Sequence, residues 1–185
     1  MAGQPSTAPG YRAPRATPRG SQGRSTPFQL VDGTSSVRRS TKQLLLAITR
    51  VLEQQAEQIG ECAVVLSTFQ HDRHLTAGTL RRYEQLASTA TLVGMFGAEV
   101  DAQPAAGVRG VRLDRADPLS DEWDVVVVGP HFAAALLARD VGDTGPDPER
   151  RFDYRVSYDR DLVVEAARRL LRRMGRVDAP PPVAG

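Results

Sequence analysis

Asp121-Glu-Trp-Asp-Val-Val-Val-Val-Gly-Pro130 is the stretch on which the fold turns. Four consecutive valines, Val125 to Val128, lie between acidic residues and a Gly-Pro break. A run that is apolar at every position, rather than at alternate ones, predicts a strand buried on both faces. Upstream, Cys62-Ala-Val-Val-Leu-Ser-Thr-Phe69 has the same character, and Thr91 to Phe96 supplies another strand. Val108 to Leu113 alternates as a short edge or irregular strand, and Arg151 to Tyr158 alternates as a half-buried one.

Helical spacing fills the intervals. Leu44, Leu45, Ile48, Val51, Leu52, Ala56 and Ile59 recur behind Ser40-Thr41-Lys42-Gln43, a capping-box signature, and Gly60 is the stop. Leu80, Tyr83, Leu86, Ala87 and Ala90 form a second face. Asp117-Pro118-Leu119 opens a turn or short helix. Pro130 suits the first turn of a helix completed by Phe132 to Ala138. A last helix runs from Asp159 to Met174, with acids early and arginines late, as the helix dipole favours. The expectation is an α/β fold: a central, mostly parallel sheet of four to five strands with helices on both faces, in a single domain.

The chain has 185 residues, 41% hydrophobic and 25% charged, which fits one domain and excludes a wholly disordered chain. Its apolar runs are too short for a membrane-spanning helix, so no membrane insertion is expected. A lone cysteine, Cys62, excludes an internal disulfide and a multi-thiolate metal site. It reads as a small buried hydrophobe at a strand start, in a reducing, cytoplasmic setting. Net charge is +2, yet residues 1–39 carry six arginines against one acid. With five prolines they read as a disordered basic tail, and a solvated extension is the simplest account of it. A weak nucleic-acid arm is the alternative. The packed domain is expected over 40–176, followed by a disordered Pro-rich tail over 177–185.

Ligands of open α/β sheets bind outside the carboxyl ends of strands. If the strands are parallel, Phe69, Gln70, His71, Asp72, Arg73 and His74 share a rim with Gly129, His131 and Phe132. Tyr83 stands just behind that rim, and Trp123 faces the opposite one. Imidazoles suit transition metals, so His71, His74 and His131 suggest a metal-dependent enzyme as an alternative. His-x-x-His on a loop is unspecific, however, and each is equally an ordinary loop residue. No nucleophile elbow, dinucleotide fingerprint or P-loop occurs. No catalytic residue, metal site or cofactor is therefore named. The ligand-binding candidates are Phe69, Gln70, His71, Arg73, His74, Tyr83, Gly129, His131 and Phe132.

Several segments together resemble the DICT domain, a sensory domain of diguanylate cyclases and two-component systems. They are Thr41 to Arg50, Phe69-Gln70, Leu80-Arg-Arg-Tyr83-Glu-Gln-Leu-Ala87, Asp117 to Pro130, and Arg151-Phe152 leading into the last helix. The resemblance covers about residues 40–175. It implies a sensory or relay role in bacterial light-responsive, transcriptional or two-component regulation, without catalytic residues to transfer. Family members are typically fused to a cyclase, a kinase or a MerR-type DNA-binding domain. The 39-residue N-terminal extension is expected to be too short, and too Pro-rich, for a winged helix or a kinase. The expectation is a free-standing sensor that binds a small signal, with the first helix as relay. It would report to a regulatory or signalling protein in trans, or through a homodimer.

Overall fold

The computed structural model describes residues 25–70, 75–144 and 146–177. Its strands are β1 (Arg38–Thr41), β2 (Val64–Phe69), β3 (Leu92–Gly97), β4 (Val108–Arg112), β5 (Glu122–Val128), β6 (Ala133–Asp140) and β7 (Arg151–Ser157). The helices are α1 (Lys42–Ile59), α2 (Ala77–Ala87) and α3 (Arg160–Val177). All seven strands form one sheet in the order β1-β7-β6-β5-β2-β3-β4.

The sheet is mixed, and larger than the four to five mostly parallel strands expected. Only the pairs β2–β3 and β3–β4 are parallel. β5 pairs β2 antiparallel, with Val64 opposite Val128 and Ser67 opposite Val125. β6 and β7 continue antiparallel, and β1 closes the edge against β7. A strand buried on both faces looks the same to the eye whichever way its neighbour runs. The valine run therefore established a central strand and left its direction open.

Of residues 132–138, expected as a helix, Ala133 to Ala138 belong to β6. Gly129 N–H donates to Phe132 O at 2.8 Å, so the Gly-Pro break closes a hairpin instead of opening a helix. Ala133 to Ala138 are buried throughout. Alanine favours helix intrinsically, but the open ladder of β5 satisfies the backbone of this run, and tertiary pairing overrides propensity.

Helices cover both faces, as expected. Leu45, Leu52 and Ala56 of α1, with Tyr83 and Leu86 of α2, pack on Val65, Met95, Val125 and Leu136. Val163, Ala166, Leu170 and Met174 of α3 pack on Leu66, Phe96, Val126 and Leu137. Each fully buried leucine among them contributes about 2 kcal/mol by removal from water. Gly94 allows the close approach of α3, because a Cβ there would lie 2.6 Å from Met174 Cε and 2.8 Å from Leu66 Cδ2. α1 ends at Gly60, whose φ of 65° is the left-handed conformation glycine adopts without strain.

The capping box at Ser40 to Gln43 does not form. Ser40 lies in β1, Thr41 makes no side-chain cap, and Lys42 N–H instead donates to Arg150 O at 2.8 Å. α2 is capped as sequence rules suggest, with Thr79 N–H donating to Thr76 Oγ1 at 3.2 Å.

Residues 25–39 are part of the packed domain, not of a disordered tail. Phe28 and Val31 are fully buried beneath α3. Phe28 N–H donates to Glu122 Oε2 at 3.0 Å, and Arg139 stacks over the Phe28 ring at 4.7 Å while pairing with Asp32 at 2.8 Å. Two of the late arginines of α3 hold this segment: Arg169 donates to Thr26 O at 2.7 Å and Arg173 to Ser25 O at 3.0 Å. Residues 1–24 and 178–185, where the rest of both tails falls, lie outside the described residues. Cys62 is exposed in a 3-10 turn before β2, not buried at the strand start. No helix among the described residues is long and apolar enough to cross a membrane.

Candidate functional site

Because β5 runs against β2, the proposed rim divides. Phe69 stands at the carboxyl end of β2, and Gly129 follows Val128, whose partner is Val64 at the other end of that strand. Six residues of β2 place about 20 Å between them. Gly129, His131 and Phe132 therefore do not join Phe69 and Gln70. They form the tight turn between β5 and β6, where Arg160 donates to Gly129 O at 3.0 Å and Phe132 packs edge-on to Tyr158. His131 is exposed there, which removes the geometric basis for a three-histidine site. His71, Arg73 and His74 lie outside the described residues. Among the described residues no group of three or more His, Cys, Asp or Glu could hold a metal ion.

The same reversal brings Trp123 to the end where Phe69 stands, not to the opposite one. Here the sheet changes from parallel to antiparallel, and the change is managed by a side chain. Thr68 Oγ1 donates to Glu122 O at 2.8 Å and accepts from Asp124 N–H at 2.7 Å. Gln70 is nearly buried and donates to Asp121 O at 2.7 Å, tying the 3-10 turn Pro118–Asp121 to the end of β2. It faces a neighbouring hollow with Arg139 and Arg150, not the main cleft.

That cleft has a volume of about 530 Å³ and lies between α1, α2 and the paired ends of β2 and β5. α1 contributes Leu46, Thr49 and Glu53; α2 contributes Thr79, Arg82 and Tyr83; the sheet contributes Ser67, Phe69, Trp123 and Val125. Thr49 and Glu53 are one helical turn apart, so they stand one above the other on the face of α1 turned inward. Phe69 and Tyr83 meet edge to face with centroids 5.5 Å apart. Trp123 meets Phe152 in the same way at 5.6 Å.

The polar groups of the cleft are unevenly satisfied. Tyr83 OH donates to Ser67 Oγ at 2.7 Å. Burial pushes the Tyr83 phenol well above its usual pKa, and the charge of nearby Glu53 adds to the rise. Glu53 Oε2 accepts from Arg82 Nε at 3.2 Å. Lys42, buried at the N-terminus of α1, pairs with Asp147 at 2.5 Å. Glu53 Oε1 and Thr49 Oγ1, however, are buried without a hydrogen-bond partner. Unpaired buried acceptors cost roughly 1–3 kcal/mol each and are uncommon in folded proteins.

Of the sequence candidates, Phe69 and Tyr83 line this cleft; Trp123 lines it too, though expected at the other end, and Thr49 and Glu53 were not among the candidates. A signal for those two was present. On a helix whose buried positions are Leu45, Leu52 and Ala56, the spacing also buries Thr49 and Glu53, and a charged residue on a core stripe is unusual.

Fold and cleft together define an α/β module with a cavity of about 530 Å³ beneath one of its two helical layers. Its sequence matches the family described as the sensory domain in diguanylate cyclases and two-component systems over residues 28–140, and the chain belongs to this DICT family. The matched region begins at Phe28, in the segment packed beneath α3. Comparison with curated proteins gives no match. Among solved structures, the polyphosphate kinase from Porphyromonas gingivalis aligns with a TM-score of 0.45 and 13% identity. That alignment covers 76% of this chain and 24% of the kinase, a likeness too slight to bear on fold or function.

Proposed function

We propose that this chain is a sensory module that acts by binding, not catalysis, and that its signal is a small molecule held in the cleft between α1 and α2. The observation that carries the reading is the pair of buried, unpartnered acceptors on the wall of a ligand-sized cavity. A bound donor offsets the cost of leaving them unpaired. The engagement of Tyr83 with Ser67, and burial that keeps its phenol protonated, support binding over proton transfer. The segment 71–74 joins cleft residues Phe69 and Thr76, so His71, Arg73 and His74 stay in the proposed binding set with Phe69 and Tyr83.

α1 is the proposed relay. Its inner face lines the cleft, and its outer face exposes Leu44 and Val51 to a regulatory or signalling protein in trans, or to a second copy of the chain. Coupling requires the ligand to bind two positions of α1 unequally. Family membership supports a setting in signalling of the diguanylate-cyclase or two-component kind; bacterial light-responsive or transcriptional regulation is part of the proposal.

Trp123 is the only tryptophan of the chain and lines the cleft, so its emission reports occupancy. Titrating small-molecule fractions of a bacterial extract into the full chain should give a saturable change in that emission. Leu46→Trp would obscure this signal, so Leu46→Arg is the variant that blocks the mouth. A response of equal affinity in Leu46→Arg would remove the cleft from consideration.

A further inference from the structure

We infer that the ligand of this cleft is a largely apolar ring compound carrying one neutral N–H or O–H donor, with the ring against Phe69 and Trp123 and the donor on Glu53 Oε1 and Thr49 Oγ1. This rests on the cleft being the small-molecule site.

Charge accounting excludes the other ligand classes. The Glu53 carboxylate is already balanced by Arg82 through its second oxygen at 3.2 Å, and the Lys42 ammonium by Asp147 at 2.5 Å. The deep wall therefore presents acceptors without an unbalanced charge. A cation would have to displace Arg82 to gain a counter-ion. An anion would face the Glu53 carboxylate after losing its water. Arg50, the remaining charged residue on the lining, is exposed at the mouth, where its field is screened.

The donor requirement follows from the two orphan oxygens. Glu53 Oε1 accepts only, and Thr49 Oγ1 accepts or donates. They occur at i and i+4 on α1, close enough for one amide, ring N–H or hydroxyl to serve both. The ring requirement follows from the sheet side of the cleft, which is lined by the aromatic side chains of Phe69 and Trp123 together with Val125. Flat aromatic walls with a few convergent polar atoms are the usual build of a small-molecule site.

The test uses three probes that differ at one position: para-hydroxybiphenyl, para-methoxybiphenyl and para-aminomethylbiphenyl. Each is titrated into the full chain with Trp123 emission as readout. The hydroxyl compound should bind about tenfold more tightly than the methoxy compound, the size expected of one hydrogen bond to a charged acceptor. That advantage should shrink to within about twofold in Thr49→Val and Glu53→Met, each checked for fold by circular dichroism. Two variants at separate positions keep the test decisive if one fails to fold. Equal binding of hydroxyl and methoxy compounds overturns the donor assignment, and is the result expected if a water molecule satisfies both oxygens. Tighter binding of the aminomethyl cation, by about tenfold or more, overturns the neutral-ligand assignment by showing that Glu53 acts as an unbalanced charge. Absence of any saturable change with all three overturns more, because the cleft is then no small-molecule site and the functional reading falls with it.

Discussion

The two faces of the sheet are covered in different ways. α3 and residues 25–31 seal one face, and every arginine they bury there has a partner: Arg173 forms a two-pronged pair with Asp117 at 2.9 and 3.1 Å and also reaches Ser25 O. α1 and α2 leave a cavity of about 530 Å³ over the other face and bury two acceptors without partners. Orphan polar atoms occur on both layers, since Thr26 Oγ1 and both carboxyl oxygens of Asp124 lack a partner among the described residues on the sealed face. On the α1–α2 layer, however, they line open space that a ligand can enter.

The difference can be broken first by truncation. Leu170→Ala, on the sealed face, should cost about 3 kcal/mol in urea unfolding, because a fully buried leucine leaves a cavity the rigid packing cannot refill. Leu46→Ala, at the open mouth of the cleft, should cost less than about 1 kcal/mol, since much of that side chain already meets water. Comparable losses at both sites would mean the two layers are equally close-packed.

The sealed face carries a second, pH-dependent signature. Glu122 and Asp124 lie side by side on β5 beneath residues 25–31, and burial raises both carboxyls above their usual range, Asp124 the more strongly because Glu122 is its neighbour. Their folded pKa values exceed the unfolded ones of about 4. Stability is therefore fullest below that value and is lost as pH rises through the folded values. Asp124→Asn cannot ionise, so it should gain on the wild-type chain as pH rises, and the gap in melting temperature should widen from acidic to neutral buffer. A constant gap would show that Asp124 is not held protonated.

On the cleft face, Thr49→Val removes an orphan oxygen without changing shape. It should raise stability by roughly 0.5–1 kcal/mol in the ligand-free chain, the reverse of the usual result at a buried position. Destabilisation would mean Thr49 is satisfied, weakening the contrast between the faces. The smallest effect belongs to the surface. Arg39→Ala breaks a pair with Asp153 that holds the Asp153 carboxyl below its usual range, mainly through the hydrogen bond, yet solvent screens this exposed pair, so the melting temperature should hardly move.

Part of this contrast was legible before any coordinates. The leucine spacing of α1, Gly60 as its stop, the alternation of β7 and the Val125 to Val128 run all predicted their elements. Each is a local pattern with a definite period. The cleft was legible only in part. Phe69 and Tyr83 were chosen for lying near a strand end, but Thr49 and Glu53 were absorbed into a hydrophobic stripe that counted only apolar positions. The segment 25–31 was misread because two apolar anchors, Phe28 and Val31, are too few to outweigh the prolines and arginines around them until α3 and β5 supply the other half of the packing.

The sequence by itself determined where chain segments bury a face, how long each is, and which family they spell out in order. These follow from nearest-neighbour sterics and from the repeat of apolar side chains. Tertiary structure alone decided that β5 runs against β2, that Ala133 to Ala138 extend as a strand, and that Trp123 stands beside Phe69 while His131 does not. Strand direction is set by hydrogen bonds between residues some sixty positions apart, as in the Ser67–Val125 pair, and no periodicity within a strand records which way its partner runs.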